Sequence, residues 1–152
     1  MLARSPLYAN ILVSDIPRSR AFYEGTLGAV PVRIAGSEIV YRTGGTQFAT
    51  SRVDDAGPTA HTVGSFIVDD IETVVAGLRE RGVVFEDYDL PGLRTVDGIA
   101  TFGADGGVLP DRVAWFRDPD GNLLSIVEEH TSARIGSAPG GSPGVLPPQS
   151  PR

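Results

Sequence analysis

Apolar and polar positions follow the same order twice along this chain. The run ILVSDI at residues 11–16 is echoed by FIVDDI at residues 66–71, an offset of 55 residues. In each run the apolar segment predicts a strand, and the acidic residue after it precedes apolar positions at helical spacing, which predicts a capped helix. A second strand is predicted after each helix. The repeat therefore indicates two similar modules that face each other across a shared cleft.

Turn residues divide the rest of the chain into short strands. The predicted strands lie at residues 8–14, 29–34, 38–43, 47–53, 62–68, 83–87, 98–103, 112–117 and 123–128. The predicted helices run from a cap at Ser14 or Asp15 to Gly25 or Leu27, and from a cap at Asp69 or Asp70 to Gly82. Residues 89–107 are rich in loop signals. They form either a lid, with Tyr88 and Arg94 near the mouth of the cleft, or an edge strand that the pattern does not reveal.

Length and composition predict one folded domain followed by a tail. The chain has 152 residues, of which 41% are hydrophobic, and this is enough to build a core. We expect a single domain over residues 1–130, with module one at about 7–53 and module two at about 61–129. Residues 131–152 are mostly Gly, Pro and Ser, so this segment is predicted to be disordered.

The composition also excludes several classes of site and partner. The chain contains no cysteine, which excludes disulfides and thiolate sites. A net charge of −6 argues against nucleic-acid binding, which needs clustered cations, and favours a cationic small molecule over an anionic one. The first residues contain no apolar signal segment, and no stretch approaches membrane-spanning length. We therefore expect a soluble, cytoplasmic protein with no membrane contact.

Two segments of the chain resemble the vicinal-oxygen-chelate superfamily. Residues 13–28, VSDIPRSRAFYEGTLG, look like the opening strand and helix of its first module, and residues 113–124, VAWFRDPDGNLL, look like its closing hairpin. This superfamily includes glyoxalase I, the extradiol dioxygenases, and the fosfomycin and bleomycin resistance proteins. The resemblance covers roughly residues 7–129. It implies an α+β fold in which tandem βαβββ modules form a cupped, partly closed mixed sheet, with helices outside and a ligand in the cup.

The resemblance also implies where a metal would be held, and this chain lacks suitable side chains there. Metal-dependent members place a His seven residues before the aspartate of the first strand–helix junction. That position is Tyr8 here, and its equivalent in module two is Val63. Their carboxylate on the last strand corresponds to Ser125. Valine and serine are not normal ligands of a divalent metal, and tyrosine is an uncommon one. We therefore predict no bound metal and no cofactor.

His61 is the only weak candidate for a metal ligand. It lies two residues before Val63, so both side chains would share one strand face, and a different register would bring His61 into the cup. The alternative is a polar residue at the start of the strand. His130 follows the last strand and is expected to be exposed to solvent. The acidic segment 118–122 is better explained as a tight turn than as a calcium loop, because Leu123 stands where such a loop needs Gly.

Aromatic and polar side chains remain as candidates for lining the cup. If Tyr8 points inward, period-two alternation sends Asn10 the same way. The predicted ligand-binding residues are Tyr8, Asn10, Tyr41, Phe48, Arg52, Val63, Ser65, Trp115 and Ser125. Trp115 is either a flat wall for an aromatic or cationic ligand or an ordinary packing residue. Arg52 either binds a carboxylate or lies on the surface.

Two main classes of function fit these residues. The first is a metal-free binding protein, similar to the bleomycin resistance proteins, that holds a small aromatic or cationic molecule in the cup. The second is a lyase, isomerase or dioxygenase with an atypical or absent metal site, for which only Tyr8 and His61 could act as acid or base. The missing metal ligands favour binding over catalysis, and a degenerate module that serves only in assembly is a third class. We expect a homodimer, since symmetric dimers are the commonest soluble assemblies.

Overall fold

Two β-sheets carry the fold, and their edge strands β1 and β5 contact each other. The computed structural model describes residue 3, residues 5–102 and residues 112–129. The strands are β1 (Ala9–Val13), β2 (Val30–Ala35), β3 (Glu38–Thr43), β4 (Thr46–Arg52), β5 (Thr62–Val68), β6 (Asp89–Leu90), β7 (Leu93–Val96), β8 (Ile99–Thr101), β9 (Arg112–Arg117) and β10 (Leu123–Glu128). The expectations for His130, for residues 131–152 and for the end of the 89–107 segment concern residues outside this description.

The two modules share one topology. Sheet one has the strand order β1-β4-β3-β2, with β1 parallel to β4 and the other pairs antiparallel. Sheet two has the order β5-β10-β9-β8-β7-β6, with β5 parallel to β10 and the other pairs antiparallel. Each module therefore places its first strand at an edge, beside its last strand. This confirms the predicted tandem βαβββ fold, in two sheets that do not close into a barrel.

Both helices begin at an aspartate that bonds the first turn. Asp15 caps α1 (Ile16–Arg20) and accepts a hydrogen bond from the Arg18 backbone N–H at 2.7 Å. The chain continues without interruption into a π-helical turn, Ala21–Thr26, which ends at Leu27. Asp70 caps α2 (Ile71–Glu80) and accepts from the Thr73 backbone N–H at 3.1 Å. These carboxylates satisfy backbone donors that a helix start otherwise leaves free.

The segment after α2 differs in part from the prediction. Residues 83–87 do not form a strand, because only Phe85 pairs, through a single bridge to Phe116. Residues 89–101 form the three short strands β6, β7 and β8 at the edge of sheet two, so this part of the loop-rich segment is an edge structure. Two turns that contain glycine at positive φ, Gly92 and Gly98, break the apolar alternation that reveals longer strands.

The core lies between the sheets and the helices. Ile71 and Val75 of α2 pack in the same buried cluster as Leu124 and Ile126 of β10. Aromatic rings join the modules within this cluster, including an edge-on contact between Phe48 and Phe66 at 6.2 Å and a contact between Phe22 and Phe116 at 6.3 Å. One side of each sheet is therefore covered by helix. Among the described residues no helix covers the opposite side, which is the part of the fold available to form a cup.

Within the part of the chain that the structure describes, no helix is long and apolar enough to cross a bilayer.

Candidate functional site

The sheet side without helices is the candidate site, and we call it the helix-free face. Asn10 and Leu12 of β1 point to this face, because the alternate residues Ile11 and Val13 are buried in the core. The parallel pairing of β1 with β4 places alternate residues of β4 on the same face. Asn10 pairs with Ala49, and Ser51 Oγ donates a hydrogen bond to Asn10 Oδ1 at 2.9 Å.

A pair of serine hydroxyls lies on the helix-free face of module two. Ser65 of β5 is in register with Ser125 of β10, and their Oγ atoms are 2.8 Å apart. Ser125 is only 2% exposed, whereas Ser65 is exposed. Each hydroxyl can donate and accept, so the pair can offer a further hydrogen bond to a neutral polar group.

An aromatic corner stands beside this hydroxyl pair. Trp115 of β9 is directly opposite Ser125 in the antiparallel register and is half-buried. The Tyr88 ring meets the Trp115 ring edge-on, with 5.5 Å between centroids and 89° between planes. Burial raises the pKa of Tyr88, so its phenol stays a neutral donor at ordinary pH. Trp115 is thus both packed and partly accessible, and Tyr88, expected near the mouth of the cleft, contacts it.

Two predicted site residues lie in the core. Tyr41 and Phe48 pair across β3 and β4, stack on each other at 5.1 Å, and contact Tyr23 beneath the sheet. Tyr41 is fully buried and Phe48 is 7% exposed. The alternation of β3 turns these rings toward the helix side with Ile39, so the structure does not bring them to the helix-free face.

The other predicted residues are scattered around the face. Tyr8 is 40% exposed and lies just before β1. Val63 sits at the β-bulge where the pairing of β5 with β10 shifts, and it packs against the core. Arg52 lies on the surface, where its guanidinium pairs with the Asp54 carboxylate at 2.6 Å. Arg94 does not lie at the mouth either, because it lies beside α2 on the helix side.

A divalent metal does not fit the donors at the positions that the resemblance implies. Val63 has no donor atom, the Ser125 hydroxyl is bonded to Ser65, and Tyr8 offers one exposed phenol. His61 is exposed in the segment before β5. The described residues contain no group of three or more His, Asp or Glu side chains placed to hold a metal.

The acidic turn of module two joins the two modules, a role that its local turn pattern does not predict. Asp118 Oδ1 accepts from the backbone N–H groups of Asp120 and Asn122 at 2.9 and 2.8 Å, which closes the turn. Tyr23 of module one donates to Asp118 Oδ2 at 2.8 Å, and Asn122 Nδ2 donates to the Leu12 carbonyl at 2.8 Å. Burial first, and the nearby Asp118 carboxylate second, raise the pKa of Tyr23 far above its ordinary value.

Comparison with known proteins agrees with this geometry. Residues 5–126 match the model of the Glyoxalase/Bleomycin resistance protein/Dioxygenase superfamily. The chain belongs to this superfamily. No curated protein sequence matches the chain.

Solved structures show the same fold at low sequence identity. A glyoxalase family protein from Enterococcus faecalis is 22% identical, with a TM-score of 0.62 over 84% of this chain and 100% of that one. The fosfomycin resistance protein FosX from Listeria monocytogenes is 16% identical, with a TM-score of 0.58 over 83% and 93%. A glyoxalase/bleomycin resistance protein/dioxygenase from Alicyclobacillus acidocaldarius is 18% identical, with a TM-score of 0.61 over 85% and 94%. FosX has also been solved with Mn(II) and sulfate.

Proposed function

We propose that this superfamily member binds a small aromatic or cationic molecule on the helix-free face and does so without a resident metal. Membership alone does not decide this, since one fold supports many activities. The observation that carries the proposal is the position of Trp115 directly opposite Ser125 in the strand register. Tyr88 contacts the Trp115 ring, and Ser65 contacts the Ser125 hydroxyl on the other side. This arrangement offers a flat apolar wall beside neutral hydrogen-bonding groups.

The proposed ligand follows from the chemistry of these side chains. The faces of Trp and Tyr attract a cation through their ring quadrupoles, and they bury aromatic rings at little conformational cost. The net charge of −6 favours a cation further. Serine hydroxyls can orient the ligand but cannot act as strong acids or bases at neutral pH. For this reason we place binding ahead of lyase, isomerase or dioxygenase chemistry.

Apolar residues at the centre of this face support a second part of the proposal, a homodimer. Leu12 is 46% exposed and Ile67 is 61% exposed, and both lie on edge strands where the modules meet. A symmetric partner would cover such residues. Sedimentation velocity over a range of concentrations tests this. A Leu12→Asp variant should shift the protein toward monomer, and a monomer at all concentrations of the native chain would contradict it.

Binding can be measured with benzyltrimethylammonium as the cationic aromatic probe. Trp115 is the only tryptophan, so its fluorescence reports directly on this face. We expect a saturable change with benzyltrimethylammonium and little change with phenylacetate, its anionic counterpart. Tyr88→Ala and Ser125→Ala should weaken binding about tenfold, which corresponds to about 1.4 kcal/mol.

Ser19→Ala is the matched control for the serine variant. Ser19 is fully buried like Ser125, but it lies in α1 on the other side of the sheet. Its removal should leave the affinity for benzyltrimethylammonium unchanged. Equal effects of Ser19→Ala and Ser125→Ala, or saturation that survives Tyr88→Ala unaltered, would contradict the proposed site.

A further inference from the structure

A cavity of about 430 Å³ lies where the two modules meet, and we call it the junction cavity. Its volume is within the range of small-molecule sites. Its apolar walls come from both helical segments and from sheet two, namely Leu27, Phe66, Val74, Leu78, Phe116 and Ile126. None of the described residues that line it is acidic, basic or imidazole. A charged ligand would therefore lose its hydration there without compensation, and a neutral one would not.

The internal repeat explains why space remains at this place. In module one, the turn at residues 118–122 docks against Leu12 and Tyr23. The Leu12 carbonyl accepts a hydrogen bond from this turn, and the Tyr23 hydroxyl donates one to it. At the repeat offset of 55 residues, the equivalents of Leu12 and Tyr23 in module two are Ile67 and Leu78. Both equivalents line the junction cavity. The cavity thus occupies the position at which the other module is filled by a docked turn.

The turn of module one is too short and too small to fill this position. Only Gly44 and Gly45 connect β3 to β4, whereas five residues connect β9 to β10. A Cβ built on either glycine would meet no atom within 4 Å. Module two also lacks a hydroxyl that could bond such a turn, because apolar Leu78 stands at the position equivalent to Tyr23. An apolar space remains in place of the hydrogen-bonded junction.

We propose that the junction cavity binds a neutral, largely apolar molecule of about two to three fused rings. An engineered apolar cavity of about 150 Å³ holds one benzene molecule, and the junction cavity is roughly three times that size. Phe66 and Phe116 supply aromatic walls for flat rings. Thr43 and Thr46 lie at the turn, and Thr46 Oγ1 donates to the Thr43 carbonyl at 3.2 Å, so its oxygen remains free to accept from a ligand hydroxyl.

This site differs from the one proposed on the helix-free face, although Ser65 contributes to both. Most of the residues that line the junction cavity belong to the buried core cluster or pack against it, and the cavity meets the helix-free face at Ser65 and Ile67 of β5. Trp115 and Tyr88 do not line it. Neutral fused rings should therefore bind here, and cationic aromatic molecules should bind beside Trp115.

The test is calorimetric titration of the full chain with 2-naphthol, which is a neutral two-ring molecule with one hydroxyl. Gly45→Leu places a side chain in the open space, and Gly45 has no positive φ that would oppose it. Leu78→Phe narrows the cavity from the helix side and serves if Gly45→Leu does not fold. Gly57→Leu is the matched control, because Gly57 also has an ordinary φ and lies in a loop away from the cavity.

We expect one 2-naphthol to bind per chain, with affinity reduced about tenfold by Gly45→Leu and by Leu78→Phe and unchanged by Gly57→Leu. The native chain should bind the anion 2-naphthalenesulfonate no more tightly than the two filled variants bind 2-naphthol. Affinity unchanged in both filled variants, or equal affinity for the anion, would overturn the proposal. Loss of 2-naphthol binding in Tyr88→Ala would place this ligand on the helix-free face instead. A change of oligomeric state in Gly45→Leu would assign the cavity to a second copy of the chain.

Discussion

Replacing Tyr23 with Phe tests the buried contact that joins the two modules. The substitution removes the hydroxyl that donates to Asp118 Oδ2 at 2.8 Å and keeps the ring, which contacts Phe22, Tyr41 and Phe48. Asp118 is 5% exposed, so water cannot readily replace the lost donor, and the same oxygen keeps only the Asn122 amide at 2.8 Å. Hydrogen bonds to charged groups contribute about 1.5–3 kcal/mol. We expect the free energy of unfolding to fall by about 2 kcal/mol.

Urea unfolding followed by Trp115 fluorescence and by far-ultraviolet circular dichroism measures this loss. With a slope of about 2 kcal/mol per molar urea, the midpoint should fall by about 1 M. Tyr41→Phe is the matched control. Tyr41 is equally buried, but its hydroxyl lies 3.4 Å from Glu24, which is already paired with Arg20 at 2.7 Å. The control should cost less than about 0.5 kcal/mol. Equal losses in both variants, or a loss below about 0.5 kcal/mol for Tyr23→Phe, would refute the reasoning.

Three further predictions concern the same fold. Burial and the Asp118 carboxylate raise the pKa of Tyr23 above its unfolded value near 10, so the stability that this phenol contributes is present below about pH 10 and is lost as the pH rises further. The urea midpoint of the native chain should therefore fall above pH 10, and it should fall less in Tyr23→Phe. Equal falls in the two proteins would contradict this assignment. Asp70→Ala should cost about 1 kcal/mol in urea because it removes the α2 cap, and Asp55→Ala, in an exposed turn, should cost almost nothing. Gly98→Ala should cost about 1–2 kcal/mol more than Gly92→Ala; both have positive φ, but only at Gly98 would the new Cβ lie 3.0 Å from Phe85 Cβ. Equal melting temperatures for the two alanine variants would show that this contact relaxes freely.

Strand positions could be predicted closely from the sequence because apolar runs and turns mark them. The structure places β3 at Glu38–Thr43, β9 at Arg112–Arg117 and β10 at Leu123–Glu128, which are the predicted bounds. The strand predicted at 98–103 corresponds to β8 (Ile99–Thr101), whereas β6 and β7 have no predicted counterpart, because segments of two and four residues carry too little periodicity.

The candidate site could be predicted only in part, for a different physical reason. Period-two alternation shows which side chains share a face, but it does not show which face meets the helices when both carry apolar groups. Val40 and Tyr41 are both buried although they point to opposite faces of β3, so the sequence pattern does not show which of them faces the helices. Contacts between distant positions, such as Tyr23 with Asp118, leave no local pattern. The contrast between the Gly44-Gly45 turn and its five-residue counterpart was the one visible signal of the junction cavity.

The most direct test of the central claim is the metal content of the tag-free protein after exposure to zinc, nickel, manganese and iron. The side chains of Tyr8, Val63 and Ser125 predict no stoichiometric metal after desalting, together with unchanged binding of benzyltrimethylammonium in the presence of a chelator. One metal per chain, lost in a His61→Ala or Tyr8→Phe variant, would contradict the account and would direct the next assays to metal-dependent chemistry of this superfamily.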